Sequence, residues 1–209
     1  MKVFVVGPFT GYSRAILDLE LVDNIEEAEV VLFTGGEDIN PDLYHCKKHE
    51  STYFSKRRDN FELEMWKKVR PDQIAFGICR GAQLFCALFG GKLVQDVSNH
   101  CGCSHFITNG SDRYEITSIH HQMLYPFDLD HSVYDILFWS ESKRSRYYHG
   151  DQIDKNKISC EPEIVLFHKE GLPIALGVQG HPEMIPNSDI TKVINKILKD
   201  LNGKLHNRG

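Results

Sequence analysis

One segment constrains the fold more than any other: residues 73–88, where a short apolar run is followed by Gly-Ile-Cys-Arg-Gly and then by a second apolar run. The first run, residues 73–78, has the length and composition of a buried strand. The second, residues 82–88, has helical spacing and stops at Gly90-Gly91, which is typical of a left-handed helix exit. A strand that passes directly into a helix indicates an α/β fold, and Cys79 then lies on the turn between them.

The turn itself indicates the role of Cys79. Gly77 and Gly81 stand two residues before and two residues after the cysteine. Residues without a side chain let neighbouring backbone approach a sharp strand-to-helix turn, as in the nucleophile elbow of serine hydrolases. A helix N-terminus also favours the thiolate, because free backbone N–H groups and the helix dipole stabilise negative charge there. We therefore predict that Cys79 is a nucleophile, whereas Cys86, within the apolar helix, packs in the core.

Other apolar patterns extend this unit into a sheet covered by helices. Before the elbow they predict two strands, at residues 2–6 and 28–33, and two helices, at residues 13–21 and 57–69. After the elbow they predict short strands and loops at residues 92–180, which include a hairpin at 163–178. A final helix is predicted at residues 188–201. Strands that alternate with helices early and a hairpin late predict a three-layer α/β/α sandwich. Its sheet should be mainly parallel, with an antiparallel hairpin addition.

Length and composition limit the class of protein. A chain of 209 residues has room for one sizeable core, so we predict a single domain at residues 1–203 and a flexible tail at 204–209. The net charge of -5 argues against an extended nucleic-acid-binding surface. The N-terminus lacks a signal-peptide pattern, and no apolar run reaches the roughly 20 residues that cross a bilayer. We therefore expect no membrane association and a cytoplasmic location.

The cysteines and the histidine-rich run at residues 100–105 raise the question of disulfides and metals. The 6 cysteines occur in dissimilar contexts within a chain that needs no covalent staples, so we predict reduced thiols. The run, His-Cys-Gly-Cys-Ser-His, contains zinc-ligand residue types, but its spacing matches no standard pair of ligand knuckles. We therefore interpret it as a polar loop, and we predict neither a metal nor an organic cofactor.

A thiolate nucleophile needs a base, and the base needs a group that orients it. The strand predicted before residue 179 runs into Gln-Gly-His-Pro-Glu, which supplies both. In an extended backbone His181 and Glu183 lie on the same side, and Pro182 stiffens the link between them. We predict that Glu183 orients His181 and that His181 takes the proton from Cys79.

Three longer motifs give these residues a context. FTGGEDINPDLY, GICRGAQLF and GVQGHPEM together resemble the class I glutamine amidotransferase superfamily, and more closely its γ-glutamyl hydrolase branch, the peptidase C26 group. Further matches follow in the order of that family: Arg58-Asp59, Gly90-Gly91-x-Leu93-x-Gln95-Asp96, and Ser118-x-His120-His121-Gln122.

The resemblance implies the flavodoxin-like open sheet of that superfamily and a triad of Cys79, His181 and Glu183. It also implies an oxyanion hole formed by the backbone N–H groups of Gly36 and Arg80. A glycine loop and an elbow at the same edge of a sheet would bring these groups together. Substrate contacts carry over to Gly35, Gln83, His121 and Gln122. For the last two, an ordinary polar loop remains the alternative.

The implied reaction is acyl transfer to Cys79, followed by hydrolysis of a γ-glutamyl thioester. If the departing group is an amine or amino acid, the protein is a free-standing γ-glutamyl hydrolase, which we favour. If it is ammonia from glutamine, the protein is the glutaminase subunit of an amidotransferase that works with a separate synthetase partner chain. A third hypothesis, a non-catalytic binding module, is disfavoured because the cysteine and the histidine are both present.

One position departs from the pattern of the family. Relatives usually carry tryptophan before His-Pro-Glu, where this chain has Gly180. The loss of a large aromatic side chain beside the base either opens space or lets another side chain fill it. Substrate preference, and with it the identity of the amine, therefore does not follow from the resemblance.

Overall fold

The computed structural model describes residues 1–8 and 10–206. Within this part of the chain, nine strands form one continuous sheet. From one edge to the other they are β2 (Glu20–Leu21), β1 (Lys2–Val6), β3 (Val30–Phe33), β4 (Ile74–Ile78), β13 (Ile174–Val178), β12 (Pro162–Phe167), β10 (Tyr134–Ser140), β7 (Cys101–Thr108) and β8 (Arg113–Ile119). Two small strand pairs lie outside it: β5 (Lys92–Val94) with β9 (Met123–Tyr125), and β6 (Asp96–Val97) with β11 (Tyr148–His149).

The sheet has two halves that differ in strand direction. Neighbouring strands from β2 to β13 all run parallel, and we call these strands the parallel half. From β13 across to β8 every neighbouring pair runs antiparallel, and β12, β10, β7 and β8 form the antiparallel half. The predicted α/β class is confirmed. The predicted hairpin, β12 with β13, is present but belongs to an antiparallel addition that is larger than a hairpin.

Three α-helices of the described residues cover the sheet: α1 (Lys56–Trp66), α2 (Arg80–Leu88) and α3 (Asp189–His206). Because side chains alternate along a strand, each parallel strand sends residues to both faces. Val31 and Phe33 of β3 pack in the same core as α1 and α2, whereas Val30 and Leu32 pack with α3. The helices therefore form the outer layers of an α/β/α sandwich.

The segment after β1 differs from its prediction. The helix predicted at residues 13–21 is wrong, because Thr10–Ala15 forms a 3₁₀-helix and the short strand β2 follows. The Asn195 side chain on α3 accepts a hydrogen bond from the Leu17 backbone N–H at 2.7 Å and donates one to the Ala15 carbonyl at 2.8 Å. Tertiary contacts thus replace the backbone bonds that would continue a helix.

The C-terminal segment is more helical than predicted. Residues 204–206 of the predicted tail belong to α3, and residues 207–209 lie outside the described residues. Leu205 packs against the core beneath α3, which favours continuation of the helix. No helix of the described residues is long and apolar enough to cross a bilayer. The single-domain organisation stays a prediction.

The carboxyl ends of the parallel strands bring several loops to one edge of the sheet. The loop after β1 contains Tyr12, and the loop after β3 contains Gly35 and Gly36. Strand β4 leads into Cys79, and β13 leads into His181. In open α/β sheets ligands bind in the crevice at this edge, so a functional site is expected there.

Candidate active site

Cys79 lies at the sharp turn predicted from the sequence. Its backbone has φ 52° and ψ -103°, a conformation that a non-glycine residue adopts only where its surroundings enforce it. The flanking glycines allow this close packing. A Cβ atom on Gly77 would lie 2.5 Å from the Gly81 carbonyl carbon, and a Cβ atom on Gly81 would collide with the Phe33 carbonyl oxygen. Cys79 is only 6% exposed, so little of its side chain is open to solvent.

His181 follows the end of β13 and is held in a defined orientation. Its backbone N–H donates to the Thr117 carbonyl at 2.7 Å, and its ring Nδ1 lies 2.7 Å from Glu183 Oε1. A hydrogen bond from Nδ1–H to this carboxylate leaves Nε2 as the nitrogen that accepts a proton. Nε2 is buried, and no described residue forms a hydrogen bond of standard geometry with it.

The surroundings of His181 favour its protonated form. Burial lowers the pKa of the ring, but hydrogen bonding and negative charge from Cys79 and Glu183 outweigh burial and raise the pKa to about 10. A histidine that contacts a cysteine on one side and a carboxylate on the other has the two partners that a general base requires. The structure therefore brings the three predicted triad residues together.

The loop after β3 supplies unpaired backbone donors beside the elbow. Gly36 has φ 148°, in the region that favours glycine, and a Cβ atom there would collide with the Arg58 guanidinium. Arg80 begins helix α2, where backbone N–H groups have no partner within the helix. Neither the Gly36 nor the Arg80 N–H forms a hydrogen bond to any described residue. Two such donors are what an oxyanion hole requires.

The same loop is fixed by two arginine side chains. Arg58 Nη2 donates to the Gly35 carbonyl at 2.7 Å, and Arg80 Nη1 donates to the Glu37 carbonyl at 2.9 Å and the Asp38 carbonyl at 2.5 Å. These bonds use the carbonyl groups of the loop and leave its N–H groups available. The loop is therefore held from the side of helices α1 and α2.

Buried carboxylates on α1 hold these arginines in turn. Glu62 Oε1 lies 2.8 Å from Arg58 Nε, and its other oxygen lies 3.1 Å from Arg80 Nε. Asp59 accepts a bond from Arg80 Nη2 at 2.7 Å. The Arg80 and Glu62 side chains are completely buried, and a buried charge is tolerated only when it is paired and hydrogen-bonded. The Arg58-Asp59 motif thus supports the loop that contains Gly35 and Gly36, which we call the glycine loop.

The remaining predicted substrate contacts lie nearby on two segments. The Gln83 side chain on α2 donates to the Gln122 carbonyl at 3.5 Å. The buried Gln122 amide bonds Thr52 Oγ1 at 3.2 Å, and its Oε1 has no partner among the described residues. His121 Nε2 lies 3.0 Å from Asp38 Oδ1, a hydrogen bond that raises the pKa of His121. His121 therefore meets the glycine loop and Gln122 meets α2, while their contact with substrate stays a prediction.

Tyr12 is a residue of this site that the sequence analysis missed. Its ring centroid lies 6.0 Å from that of His181, and a Cβ atom on Gly35 would lie 2.6 Å from its hydroxyl oxygen. Burial, followed by the negative charges of Glu183 and Cys79, raises the pKa of Tyr12 to about 12. The available signal was its place on the loop that follows a parallel strand, but the predicted helix at residues 13–21 obscured it.

The structure shows what surrounds Gly180, where the resemblance led us to expect tryptophan. A Cβ atom on Gly180 would lie 2.6 Å from Ile116 Cδ1 and 2.9 Å from the Thr117 carbonyl oxygen. Strand β8 therefore fills the space beside the base with a side chain of its own. Of the two alternatives left open by the sequence, filling is the one found.

Potential metal ligands cluster outside this crevice. His100, His105 and Glu163 are buried in the antiparallel half, and one ligand atom from each lies within 4.8 Å of the others. The interpretation of residues 100–105 as a polar loop is wrong, because the run enters strand β7, whose alternation turns His105 inward. Cys101 is exposed and Cys103 half-buried, and neither belongs to the cluster.

Comparison with known proteins identifies relatives of this chain. A family model described as peptidase C26 matches residues 18–183. The chain is 25% identical over 192 residues to protein NtpR of Enterococcus hirae, covering 80% of this chain and 72% of that protein. It is 33% identical over 94 residues to a glutamine amidotransferase-like protein of Lactococcus lactis subsp. cremoris, covering 42% of this chain and 50% of the relative. The chain thus matches only half the length of the second relative.

Solved structures share the fold at low sequence identity. A Thermoplasma acidophilum protein assigned as a GMP synthase subunit has a TM-score of 0.63 and 15% identity, covering 99% of this chain and 96% of that one. A glutamine amidotransferase of Thermotoga maritima has a TM-score of 0.51 and 14% identity, covering 100% and 97%. These matches support the flavodoxin-like fold.

Proposed function

The chain belongs to the peptidase C26 family of the class I glutamine amidotransferase superfamily, and on that premise we propose that it hydrolyses a γ-glutamyl amide bond. The family makes it a hydrolase-type enzyme. We propose the substrate, the catalytic role of each residue and the ability to act without a partner chain. The observation that supports them is the interaction of Cys79, at a strained turn, with the His181 ring, whose Nδ1 is bonded to Glu183.

In the proposed mechanism, Cys79 gives its proton to Nε2 of His181 and the thiolate attacks the γ-carbonyl carbon. The Gly36 and Arg80 N–H groups stabilise the oxyanion. As the tetrahedral intermediate collapses, the carbon–nitrogen bond breaks and His181 returns its proton to the leaving amine. His181 then takes a proton from water, the hydroxide adds to the thioester, and glutamate leaves as the Cys79 thiol is restored.

The leaving group distinguishes two forms of the proposal. We favour an amine or amino acid, which makes the protein a free-standing γ-glutamyl hydrolase. Similarity over nearly the whole chain to a protein assigned as a GMP synthase subunit favours the second candidate, in which glutamine is the substrate and ammonia passes to a synthetase partner. Because the reaction depends on a reduced thiol, we expect either form to act in the cytoplasm.

The first experiment asks whether Cys79 is the nucleophile. The purified protein is treated with a glutamine-analogue chloroketone and digested, and the modified peptide is identified by mass spectrometry. We expect label on Cys79 alone. Cys79→Ala should abolish labelling and hydrolysis, whereas Cys101→Ser, which removes an exposed thiol on β7, should leave both intact. A folded wild-type protein that takes up no label would support the binding-module hypothesis instead.

The second experiment separates the two substrates. Glutamate release is measured from glutamine and from a series of γ-glutamyl amines and γ-glutamyl amino acids, with the Cys79→Ala protein as the blank. The favoured proposal predicts turnover of at least one γ-glutamyl amine without any partner. A protein that is idle on the whole series but hydrolyses glutamine once a synthetase chain is added would overturn it in favour of the ammonia-donating form.

A further inference from the structure

A cluster of buried polar side chains in the antiparallel half has no role in the proposed reaction. It consists of His100, which precedes β7, His105 within β7, His120, which follows β8, and Glu163 within β12, and we call it the His/Glu cluster. The side chains are each about 1% exposed. Since β10 separates β7 from β12 in the sheet order, the cluster joins strands that are not neighbours.

Nitrogen atoms of the three histidines approach one oxygen of Glu163, and the ligand atoms of His100, His105 and Glu163 all lie within 4.8 Å of one another. Glu163 Oε1 lies 2.7 Å from His105 Nε2, 3.7 Å from His100 Nδ1 and 4.0 Å from His120 Nε2. The rings of His100 and His120 lie 4.9 Å apart between centroids. Four-coordinate zinc has bonds of about 2.0 to 2.1 Å, which puts its ligand atoms roughly 3.3 Å apart. The three spacings from Glu163 Oε1 bracket that value.

The cluster has more polar atoms than hydrogen-bond partners. Its buried atoms without a partner among the described residues are His100 Nδ1, His120 Nε2, His105 Nδ1 and Glu163 Oε2. Buried polar groups in native proteins are normally satisfied, so each such atom calls for an explanation. Two of these atoms, His100 Nδ1 and His120 Nε2, are those that approach Glu163. One ion beside Glu163 Oε1 would satisfy both nitrogen atoms.

Outer contacts orient two of the histidines in the manner of metal ligands. His100 Nε2 lies 3.2 Å from Glu161 Oε2, and His120 Nδ1 lies 2.7 Å from the Gln122 carbonyl oxygen. In each ring the nitrogen facing away from the cluster thus has an acceptor, which fixes the tautomer and leaves the inner nitrogen with a free lone pair. Glu161 is itself held by the Arg144 and Ser145 backbone N–H groups and the Tyr148 hydroxyl.

We propose that His100, His105, His120 and Glu163 bind one divalent transition-metal ion, and that zinc fits the site best. Imidazole and carboxylate ligands in a four-coordinate arrangement suit zinc, and the carboxylates of Glu161 and Glu163 balance its charge of two. Because the cluster is buried and supplies four ligands, the site is structural. The ion connects β7, β12 and the segment after β8. The sequence had instead led us to expect a polar loop at residues 100–105.

The metal also acts on the crevice at a distance, through the segment that follows β8. His120 binds the ion, and the next two residues are His121, which meets Asp38, and Gln122, which meets Gln83. Loss of the ion would release this segment from the antiparallel half. We therefore expect chelation to weaken substrate binding as well as stability, although the ion touches no reacting atom.

The first test measures the metal directly in the wild-type protein. After expression in zinc-supplemented medium and extensive dialysis, elemental mass spectrometry should find about one zinc ion per chain. Exchange for cobalt should give the intense visible absorption of a tetrahedral site with nitrogen and oxygen ligands. Removal of the ion should lower the Tm by several degrees, and added zinc should restore it. The inactive Cys79→Ala protein should behave identically, so this test is independent of the proposed reaction.

The second test locates the ion with matched variants. Glu163→Gln and His105→Gln preserve side-chain size and should reduce the metal content to a small fraction of one ion per chain. His168→Gln removes a half-exposed histidine paired with Asp135 on another surface, and it should bind metal normally. The double variant Cys101→Ser, Cys103→Ser should also retain its metal. If the Glu163 and His105 variants fail to fold, the cobalt spectrum and the chelator effect on the wild-type protein decide.

Several results would overturn the proposal. A wild-type protein that takes up no stoichiometric zinc and shows no tetrahedral cobalt spectrum has a water-filled or purely hydrogen-bonded cluster. Full metal content in a folded Glu163→Gln protein, or loss of metal only in the double cysteine variant, places the ion elsewhere.

Discussion

The two halves of the sheet assemble their polar side chains in different ways. In the parallel half, each residue of the proposed triad and oxyanion hole lies within a few residues of a strand's carboxyl end: Cys79 directly after β4, Gly36 after β3 and His181 after β13. In the antiparallel half, the His/Glu cluster gathers residues from 100 to 163 in the chain, from strands on either side of β10.

This difference shows why one site is visible in the sequence and the other is not. Parallel strands end at a common edge, so a short motif after each strand is enough to predict that their side chains meet. Antiparallel strands bring residues together through register, which a single bulge shifts, and β7 pairs with β8 through such a shift at Cys101 and Cys103. Three predictions test how far the parallel half depends on its buried charges, its base and its border with the antiparallel half.

The largest effect is expected at Glu62, which holds the arginines beneath the glycine loop. Glu62→Gln keeps the shape of the side chain but removes a charge that Arg58 and Arg80 share. We expect the free energy of unfolding to fall by about 3 to 5 kcal/mol, because the buried Arg80 guanidinium loses one of its two carboxylate partners and keeps only Asp59. Urea denaturation measures this loss. Glu64→Gln, on the same helix but exposed and paired with Lys67, should change stability little. Equal losses in both variants would contradict the role of burial.

The second effect is expected at Glu183, which raises the pKa of His181. His181 donates its proton to the leaving amine only while it is protonated, so activity should fall as the pH rises through its pKa of about 10. Glu183→Gln removes the carboxylate charge, lowers that pKa and moves the alkaline limb of the kcat/KM profile to lower pH. We also expect a loss of kcat of about 10²-fold. Glu170→Gln, in an exposed turn, serves as the control, and an alkaline limb that stays in place would contradict the assignment.

The third and smallest effect is expected where the two halves touch. Gly180→Ala forces a methyl group against Ile116, and such overpacking should cost about 1 to 3 kcal/mol of stability. In an Ile116→Ala background the same substitution should cost less, and the Thr117 carbonyl oxygen, at 2.9 Å, accounts for the cost that remains. A double-mutant cycle by urea denaturation measures this coupling. Additive losses would show that the backbone of β8, and not the Ile116 side chain, occupies the space.

Particular residues show how much the sequence could predict. Cys79 and the strand before it were predictable because glycines, an apolar strand and a helix follow one another within a few residues. The 3₁₀-helix at Thr10–Ala15 was not, because its backbone bonds to Asn195, nearly the whole length of the chain away. Tyr12 lies in that 3₁₀-helix, just before the residues predicted to form a helix, and no motif marks it as part of the site. His120 was recognised only as part of a motif, since its nearness to Glu163 depends on strand register.

Arg80 connects helix α2 to the loop that precedes α1. Its backbone begins α2, while its side chain grips the Glu37 and Asp38 carbonyls. These bonds tie the first turn of α2 to the neighbouring loop, and with it the Arg80 amide to the loop that contains the Gly36 amide. A substitution elsewhere around the site, such as one in the wall at Gly180, leaves this tie between the two amides in place.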